Sequence, residues 1–235
     1  MNIEEYFKEV NSKCQDIFLE SLKDKHLFGN AHHLSSCIYD FSNFISDREE
    51  KELIGTVSSQ LEAATLNLGL GLYRQAFSTL RLAFEMGLSV AYFSIHKLEH
   101  NEWLRGKGDI KWSKLIDQDT GVLSKRFVQA FFPELVEFTD EYIDLASKSY
   151  RTLSEFVHGN YQTWIKSGIV IKMNSDLLKS YFELFNKISH ILLYVFCCRY
   201  LKTIAVDQLD SMEFISEELN FIGPIREFMG GPKEI

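Results

Sequence analysis

The chain has 235 residues, of which 46% are hydrophobic and 14% aromatic, and its formal net charge is −8 at pH 7. This length, with nineteen Phe and ten Tyr residues, predicts a sizeable buried core and argues against a disordered chain. The three Pro residues are too few to favour a sandwich of many short strands. The acidic charge gives no general attraction to nucleic acid or to an anionic membrane, so an RNA-processing role would need a local basic surface or a partner.

The cysteines and the N-terminus predict a cytoplasmic protein. Cys14, Cys37, Cys197 and Cys198 form no CxxC pair and have no metal-type spacing, which fits a reducing compartment. The acidic N-terminus lacks the basic and apolar regions of a signal peptide. The longest apolar run, 191–198, is far shorter than the roughly 20 residues that span a bilayer. We therefore expect no membrane association, no metal and no cofactor.

Apolar residues at helical spacing predict three helices in the first third of the chain. The first covers about 3–26 and is followed by a break at Gly29-Asn30. The second covers 32–46. The third covers 47–70, with Asp47 as its N-cap and acidic residues in its first turn.

The next predicted helix, 73–96, is apolar on nearly all sides, which is typical of a central helix. Arg81 and Glu85 interrupt it one turn apart. Because an unpaired buried ion is costly, both charges must be paired or must face a cavity. Two interpretations stay open: a structural ion pair, or support for a functional site built elsewhere in the chain.

Residues 97–120 combine glycines with basic and aromatic side chains. Such a mixture can bind a phosphate backbone and stack on bases. The alternative is a surface connection whose tryptophans pack against the bundle. The RNA-binding candidates are Trp103, Arg105, Lys107, Lys111, Trp112 and Lys114.

The second half of the chain predicts further helices at 124–132, from Pro133 to His158, and from 176 to about 206, where Asn174 or Ser175 is the cap. Residues 160–173 predict a loop with a short extended piece. Together these patterns predict an all-α fold, with one helical-bundle domain at 1–206, core helices at about 48–96 and 133–206, and a C-terminal extension at 207–235.

The most informative sequence is Tyr150–Asn160, near the end of a predicted helix. Arg151 and His158 are seven positions apart, so they share one helix face within roughly 20°. Ser154 and Glu155 lie between them, and Gly159 is the residue type that most often ends a helix. A guanidinium that binds phosphate and an imidazole that transfers protons near neutral pH suit phosphate chemistry. The alternative is a solvated helix face with a Glu155–His158 contact.

An Arg followed by six residues and a His, late in a helix of an all-helical chain, resembles the catalytic motif of HEPN domains (higher eukaryotes and prokaryotes nucleotide-binding). The run 80–85 likewise resembles the preceding core helix of HEPN-like proteins. The residue after the Arg is Thr152, whereas family members often have Asn, Asp or His there.

The resemblance implies an antiparallel helical bundle with peripheral short helices, usually a homodimer, and a metal-independent endoribonuclease of a defence or toxin–antitoxin system. It implies that Arg151 and His158 are catalytic. Under this hypothesis Ser154, Glu155 or Asn160 would orient the His or the substrate, and Arg81 and Glu85 would support the site. RNA is then the substrate, and an antitoxin or other protein is the partner. A second hypothesis is a non-catalytic module that binds RNA, nucleotide or protein. An all-α di-metal enzyme is disfavoured, since no Glu-x-x-His pair occurs on two helices.

Overall fold

The chain folds into an all-α structure, as its sequence predicts. A computed structural model describes residues 2–158 and 171–233. The helices of the described residues are α1 (Ile3–Ser21), α2 (Lys25–Phe41), α3 (Arg48–Gly69), α4 (Tyr73–Ile95), α5 (Lys97–Leu104), α6 (Trp112–Leu115), α7 (Lys125–Phe131), α8 (Thr139–Val157), α9 (Ser175–Tyr200), α10 (Val206–Leu209), α11 (Glu213–Leu219) and α12 (Gly223–Phe228). Short 3₁₀ helices cover Leu22–Asp24, Ser42–Phe44, Pro133–Phe138 and Leu201–Thr203.

The helical hairpin of α3 and α4 forms one side of the core. Asp47 caps α3 by accepting hydrogen bonds from the backbone N–H groups of Glu49 (3.0 Å) and Glu50 (3.1 Å), as predicted. Gly71, with a φ of +76°, makes the turn into α4. The turn reverses the chain, so the two helices pack along their length.

Helix α4 packs against α8 and α9 and is largely buried, which confirms the predicted central helix. Its contact with α8 includes Phe77 stacked on Phe156, with ring centroids 3.8 Å apart. Helix α9 is the other core helix and is capped by Asn174, which accepts from the N–H of Leu177 at 3.1 Å. Helices α4 and α8 are therefore held against each other by a packed aromatic contact.

The predicted break at Gly29-Asn30 is wrong, because both residues lie inside α2. The α-helical geometry is instead interrupted at Leu22–Asp24, which form a 3₁₀ helix between α1 and α2. An interior Gly costs about 1 kcal/mol relative to Ala, which the buried face of α2 offsets. The Asn30 side chain also donates to Asn186 of α9 at 3.0 Å.

The prediction of a single long helix from Pro133 is also wrong for its first six residues. Residues 133–138 form a 3₁₀ helix, and α8 begins at Thr139. This local geometry buries Leu135, whose carbonyl accepts a hydrogen bond from the Tyr194 hydroxyl at 3.1 Å. Packing on α9 thus sets the conformation here.

The C-terminal residues 206–228 form α10–α12 against the bundle. Met212, Ile215, Leu219, Ile222 and Ile225 are fully buried in the common core. Of the predicted loop at 160–173, residues 160–170 lie outside the described residues, and 171–173 have no regular structure.

Candidate functional site at the end of α8

The end of α8 combines a buried face with an exposed polar one. Leu153 and Phe156 are buried, whereas Arg151 and His158 are exposed. His158 is the C-cap residue, and its backbone N–H donates to the Ser154 carbonyl at 2.9 Å. The helix thus presents the imidazole at the surface, directly after its last turn.

The guanidinium of Arg81 links the site residues of α4 and α8. Its Nε donates to Glu85 Oε1 at 3.2 Å, one terminal nitrogen lies 3.4 Å from His158 Nε2, and the other donates to the Tyr150 hydroxyl. Arg81 and Glu85 are only 16% and 20% exposed in their side chains. The Arg81–Glu85 ion pair and the contact with His158 therefore occur together in one network.

The contact of Arg81 with His158 fits one tautomer of the neutral imidazole. A guanidinium only donates hydrogen bonds, so Nε2 must accept the one from Arg81. The imidazole proton is then on Nδ1, and Nε2 carries a lone pair. A general base uses this lone pair, so the Arg81 donor must leave Nε2 when the imidazole takes up a proton.

Tyr150 is held between aromatic and charged neighbours. Its ring stacks on Trp112, with centroids 3.7 Å apart and planes 4° from parallel, and the Arg81 guanidinium lies 4.6 Å from its centroid. Burial raises the pKa of the Tyr150 hydroxyl, the Glu85 carboxylate raises it further, and Arg81 opposes both. The hydroxyl therefore keeps its proton at neutral pH.

Arg151 is the most accessible cation of the site. No hydrogen bond or ion pair of its side chain occurs within the described parts of the chain. Arg74 of α4 lies beside the C-terminal end of α8, where it donates to the Val157 carbonyl at 3.3 Å. Three arginines, Arg74, Arg81 and Arg151, thus lie on or against the last two turns of α8, and Arg151 is the one of the three that is exposed.

The other residues predicted to support the site differ in their contacts and burial. The Ser154 hydroxyl donates to the Tyr150 carbonyl at 2.8 Å, one turn earlier in α8. Glu155 is half-buried. Asn160 lies outside the described residues. Ser154 is therefore engaged with its own helix rather than with His158.

The connection proposed for RNA binding is only partly next to the site. Trp112 packs against Tyr150 and Phe84, whereas Trp103 packs against Phe93, with centroids 5.5 Å apart. Lys114 pairs with Glu99 at 2.9 Å. Arg105, Lys107 and Lys111 are exposed. Both tryptophan rings thus have protein partners, and Trp112 joins this connection to the network of Arg81 through its stacking on Tyr150.

Sequence reasoning did not select Tyr150 and Arg74. Tyr150 and Ser154 are one turn apart in α8, and so are Ser154 and His158, which places the three residues along one broad side of the helix. Arg74 lies seven residues before Arg81, so both project from one side of α4. These spacings were present in the sequence, but they identify a site only once α4 and α8 are known to touch.

The chain matches no protein-family model, no curated protein and no solved structure at a significant level. The resemblance to HEPN domains therefore rests on residues of its own sequence. In residues 2–158 and 171–233, no group of three or more His, Cys, Asp or Glu residues is arranged to hold a metal ion. No helix of those residues combines the length and apolar composition needed to cross a membrane.

Proposed function

We propose that this chain is a HEPN-like, metal-independent endoribonuclease that acts in a defence or toxin–antitoxin setting. The observation that supports it best is the pairing of the Arg81 guanidinium with Nε2 of the exposed His158. An imidazole next to a guanidinium, on an accessible helix end, combines a proton carrier with a phosphate-binding group. Metal independence is part of the family resemblance.

In the proposed reaction, the ribose 2′-oxygen attacks the adjacent phosphorus and gives up its proton to His158 Nε2. The bond from phosphorus to the 5′-oxygen breaks, which leaves a cyclic phosphate and a 5′-hydroxyl. Arg151 stabilises the charge that develops on the phosphoryl oxygens. Arg81 and Glu85 orient His158, and an RNA strand approaches over the surface of Arg74 and Arg151.

The test incubates purified protein with total RNA and tRNA, with and without EDTA. His158→Ala should lower cleavage about 10²–10⁴-fold, the usual contribution of a general acid–base group. Arg151→Lys should also be strongly impaired, because Lys keeps the charge but loses the planar fork. EDTA should have little effect, and the products should carry cyclic phosphate ends.

His32→Ala is the matched control, since His32 is also an exposed histidine on a helix and bonds only to Glu62 among the described residues, at 2.8 Å. Its cleavage rate should equal that of the wild type. Equal cleavage by the wild type and His158→Ala would assign the activity to a contaminant or to another site. A substrate with deoxyribose at the cleaved position should resist, because it lacks the attacking oxygen.

The second candidate is a non-catalytic module that binds RNA, nucleotide or a partner protein. The observation behind it is a cleft of about 200 Å³ beside α5 and α6, which offers polar groups of both charges: Lys107, Lys111, Lys114, Glu99, Glu102 and Asp109. Binding without cleavage of several RNAs, in the absence of any antitoxin, would support this module and refute the nuclease.

A further inference from the structure

The proposed cleavage needs two proton transfers, but the Arg151–His158 pair supplies only one proton carrier. The 2′-oxygen must lose a proton, and the departing 5′-oxygen must gain one. The HEPN resemblance answers this with a homodimer, in which a second copy contributes a second set. The contacts around Arg81 offer a different answer within one chain.

The Tyr150 hydroxyl and His158 Nε2 are bound by the two terminal nitrogens of one guanidinium. They are therefore separated by no more than the span of the Arg81 head group and its two hydrogen bonds. A phosphodiester seated on that head group would have Nε2 on one side and the phenolic hydroxyl on the other. This is the arrangement that in-line displacement demands, because the attacking and leaving oxygens lie on opposite sides of phosphorus.

Arg81 keeps donors for such a phosphate. A guanidinium has five N–H donors, and the described contacts with Glu85, His158 and Tyr150 use three. One N–H remains on each terminal nitrogen. Two N–H donors on one guanidinium are the number that a bidentate contact with two phosphate oxygens needs.

The surroundings of Tyr150 fit a proton donor. Its hydroxyl stays protonated at neutral pH because burial and Glu85 raise its pKa. The phenolate left after donation is next to the Arg81 cation, which stabilises it. An alkoxide leaving group is far more basic than a phenolate, so proton transfer from Tyr150 to the 5′-oxygen is downhill.

We propose that Tyr150 is the general acid of the site, which protonates the leaving 5′-oxygen while His158 takes the proton of the 2′-hydroxyl. The proposal rests on the endoribonuclease function above. As the bond from the 2′-oxygen to phosphorus forms, the bond to the 5′-oxygen breaks and receives the phenolic proton. The imidazolium returns its proton to water and the phenolate recovers one. One proton has then moved from the 2′-oxygen to the 5′-oxygen, and no co-reactant is consumed.

The experiment compares two substrates that differ in their need for an acid. The first is a dinucleotide, whose alkoxide leaving group must be protonated. The second is a nucleoside 3′-(4-nitrophenyl) phosphate, whose nitrophenolate leaves without a proton. The variants are Tyr150→Phe, His158→Ala and, as a matched control, Tyr142→Phe, because Tyr142 is also on α8 and stacked on a tyrosine, Tyr194, at 3.6 Å.

Tyr150→Phe keeps the ring and its stacking on Trp112, and removes only the hydroxyl. It should cleave the dinucleotide at least about 100-fold more slowly than the wild type. It should cleave the nitrophenyl ester within a few-fold of the wild-type rate. His158→Ala should lose both activities, and Tyr142→Phe should keep both. The wild-type rate per mole of chain should not change when the protein is diluted.

The other possible results distinguish failure of the general-acid proposal from failure of the nuclease proposal. If Tyr150→Phe cleaves both substrates more slowly by the same factor, the hydroxyl only positions Arg81. The general-acid role is then overturned, while the nuclease proposal stands. If Tyr150→Phe cleaves both as fast as the wild type, the hydroxyl has no role. If the wild-type protein cleaves neither substrate nor RNA, the proposed function fails, and the role of Tyr150 fails with it.

Discussion

His100, in the middle of α5, is a polar side chain without polar contacts to the described residues. It is 1% exposed, and neither ring nitrogen has a hydrogen-bond partner among the described residues. Its ring stacks on Phe93, with centroids 4.9 Å apart and planes 5° from parallel. The imidazole therefore serves as an aromatic ring, while its two nitrogens lose their hydration without compensation. Each unpaired buried polar group costs about 1–3 kcal/mol.

His100→Phe should raise the free energy of unfolding by about 1–2 kcal/mol, because it keeps the stacked ring and removes the unpaired nitrogens. Urea denaturation followed by circular dichroism measures the change. His190→Phe is the matched control: His190 Nε2 bonds to Glu218 at 2.8 Å, so this change should destabilise the protein. A loss of stability in His100→Phe comparable to that of His190→Phe would show that the nitrogens of His100 are satisfied after all.

At the scale of the elements, the contact between α4 and α9 depends on Gly87. A Cβ atom at this position would lie 2.5 Å from Cδ2 and 2.8 Å from Cδ1 of Leu192. Real Cβ contacts are essentially never that short. The glycine therefore sets how closely the two core helices approach.

Gly87→Ala should lower the free energy of unfolding by up to about 2 kcal/mol. The gain in helix propensity is about 1 kcal/mol, and overpacking costs about 1–3 kcal/mol. Gly55→Ala in α3 is the control, since its nearest foreign atom would be Tyr39 Cε2 at 3.9 Å. It should stabilise the protein by about 0.5–1 kcal/mol. If both variants stabilise in denaturant titrations, Leu192 moves aside freely and α4 and α9 are not held at this distance by position 87.

The sequence predicts those elements best whose signals are local. The cap of α3 at Asp47, the cap of α9 at Asn174 and the apolar α4 all follow from neighbouring residues. The break expected at Gly29-Asn30 is absent because burial across helices outweighs a local preference. The same distinction applies to the candidate site.

The spacing of Arg151 and His158 within α8 is visible in the sequence, because both residues belong to one helix. The contact of Arg81 with His158 is not visible, since 77 positions separate the two residues. The stacking of Trp112 on Tyr150 likewise depends on how α6 packs against α8. A local pattern could therefore propose the imidazole, whereas its hydrogen-bonding partner required the packing of α4 on α8.

At the scale of the whole molecule, the core contains many groups that ionise only at alkaline pH. Burial raises the pKa of the Cys37 thiol and of the Tyr92 hydroxyl, each to about 12, and Glu99 contributes to the rise for Tyr92. Burial also raises the pKa values of the remaining core groups of this kind. These are Tyr73, Tyr142, Tyr181, Tyr194, Tyr200, Cys197 and Cys198.

These shifts predict that the protein loses stability at alkaline pH. Cysteine ionises near pH 8.5 and tyrosine near pH 10 in an unfolded chain. Above those values the unfolded state binds fewer protons than the folded state, so the free energy of unfolding falls as the pH rises. The stabilising contribution is complete below about pH 8 and is lost between about pH 9 and 12. Urea titrations at a series of pH values, followed by circular dichroism, measure the slope.

Each group that ionises only in the unfolded state contributes a slope of up to about 1.4 kcal/mol per pH unit. Tyr142→Phe removes one such group, and its stability should therefore fall less steeply above pH 10 than that of the wild type. Tyr39→Phe, at a position that is 53% exposed, is the matched control and should retain the wild-type slope. A common slope for all three proteins would mean that the Tyr142 hydroxyl ionises in the folded state as readily as in the unfolded chain. The stacked pair of Tyr142 and Tyr194 would then be open to water, and the contact between α8 and α9 would be looser than the 3.6 Å separation of their rings requires.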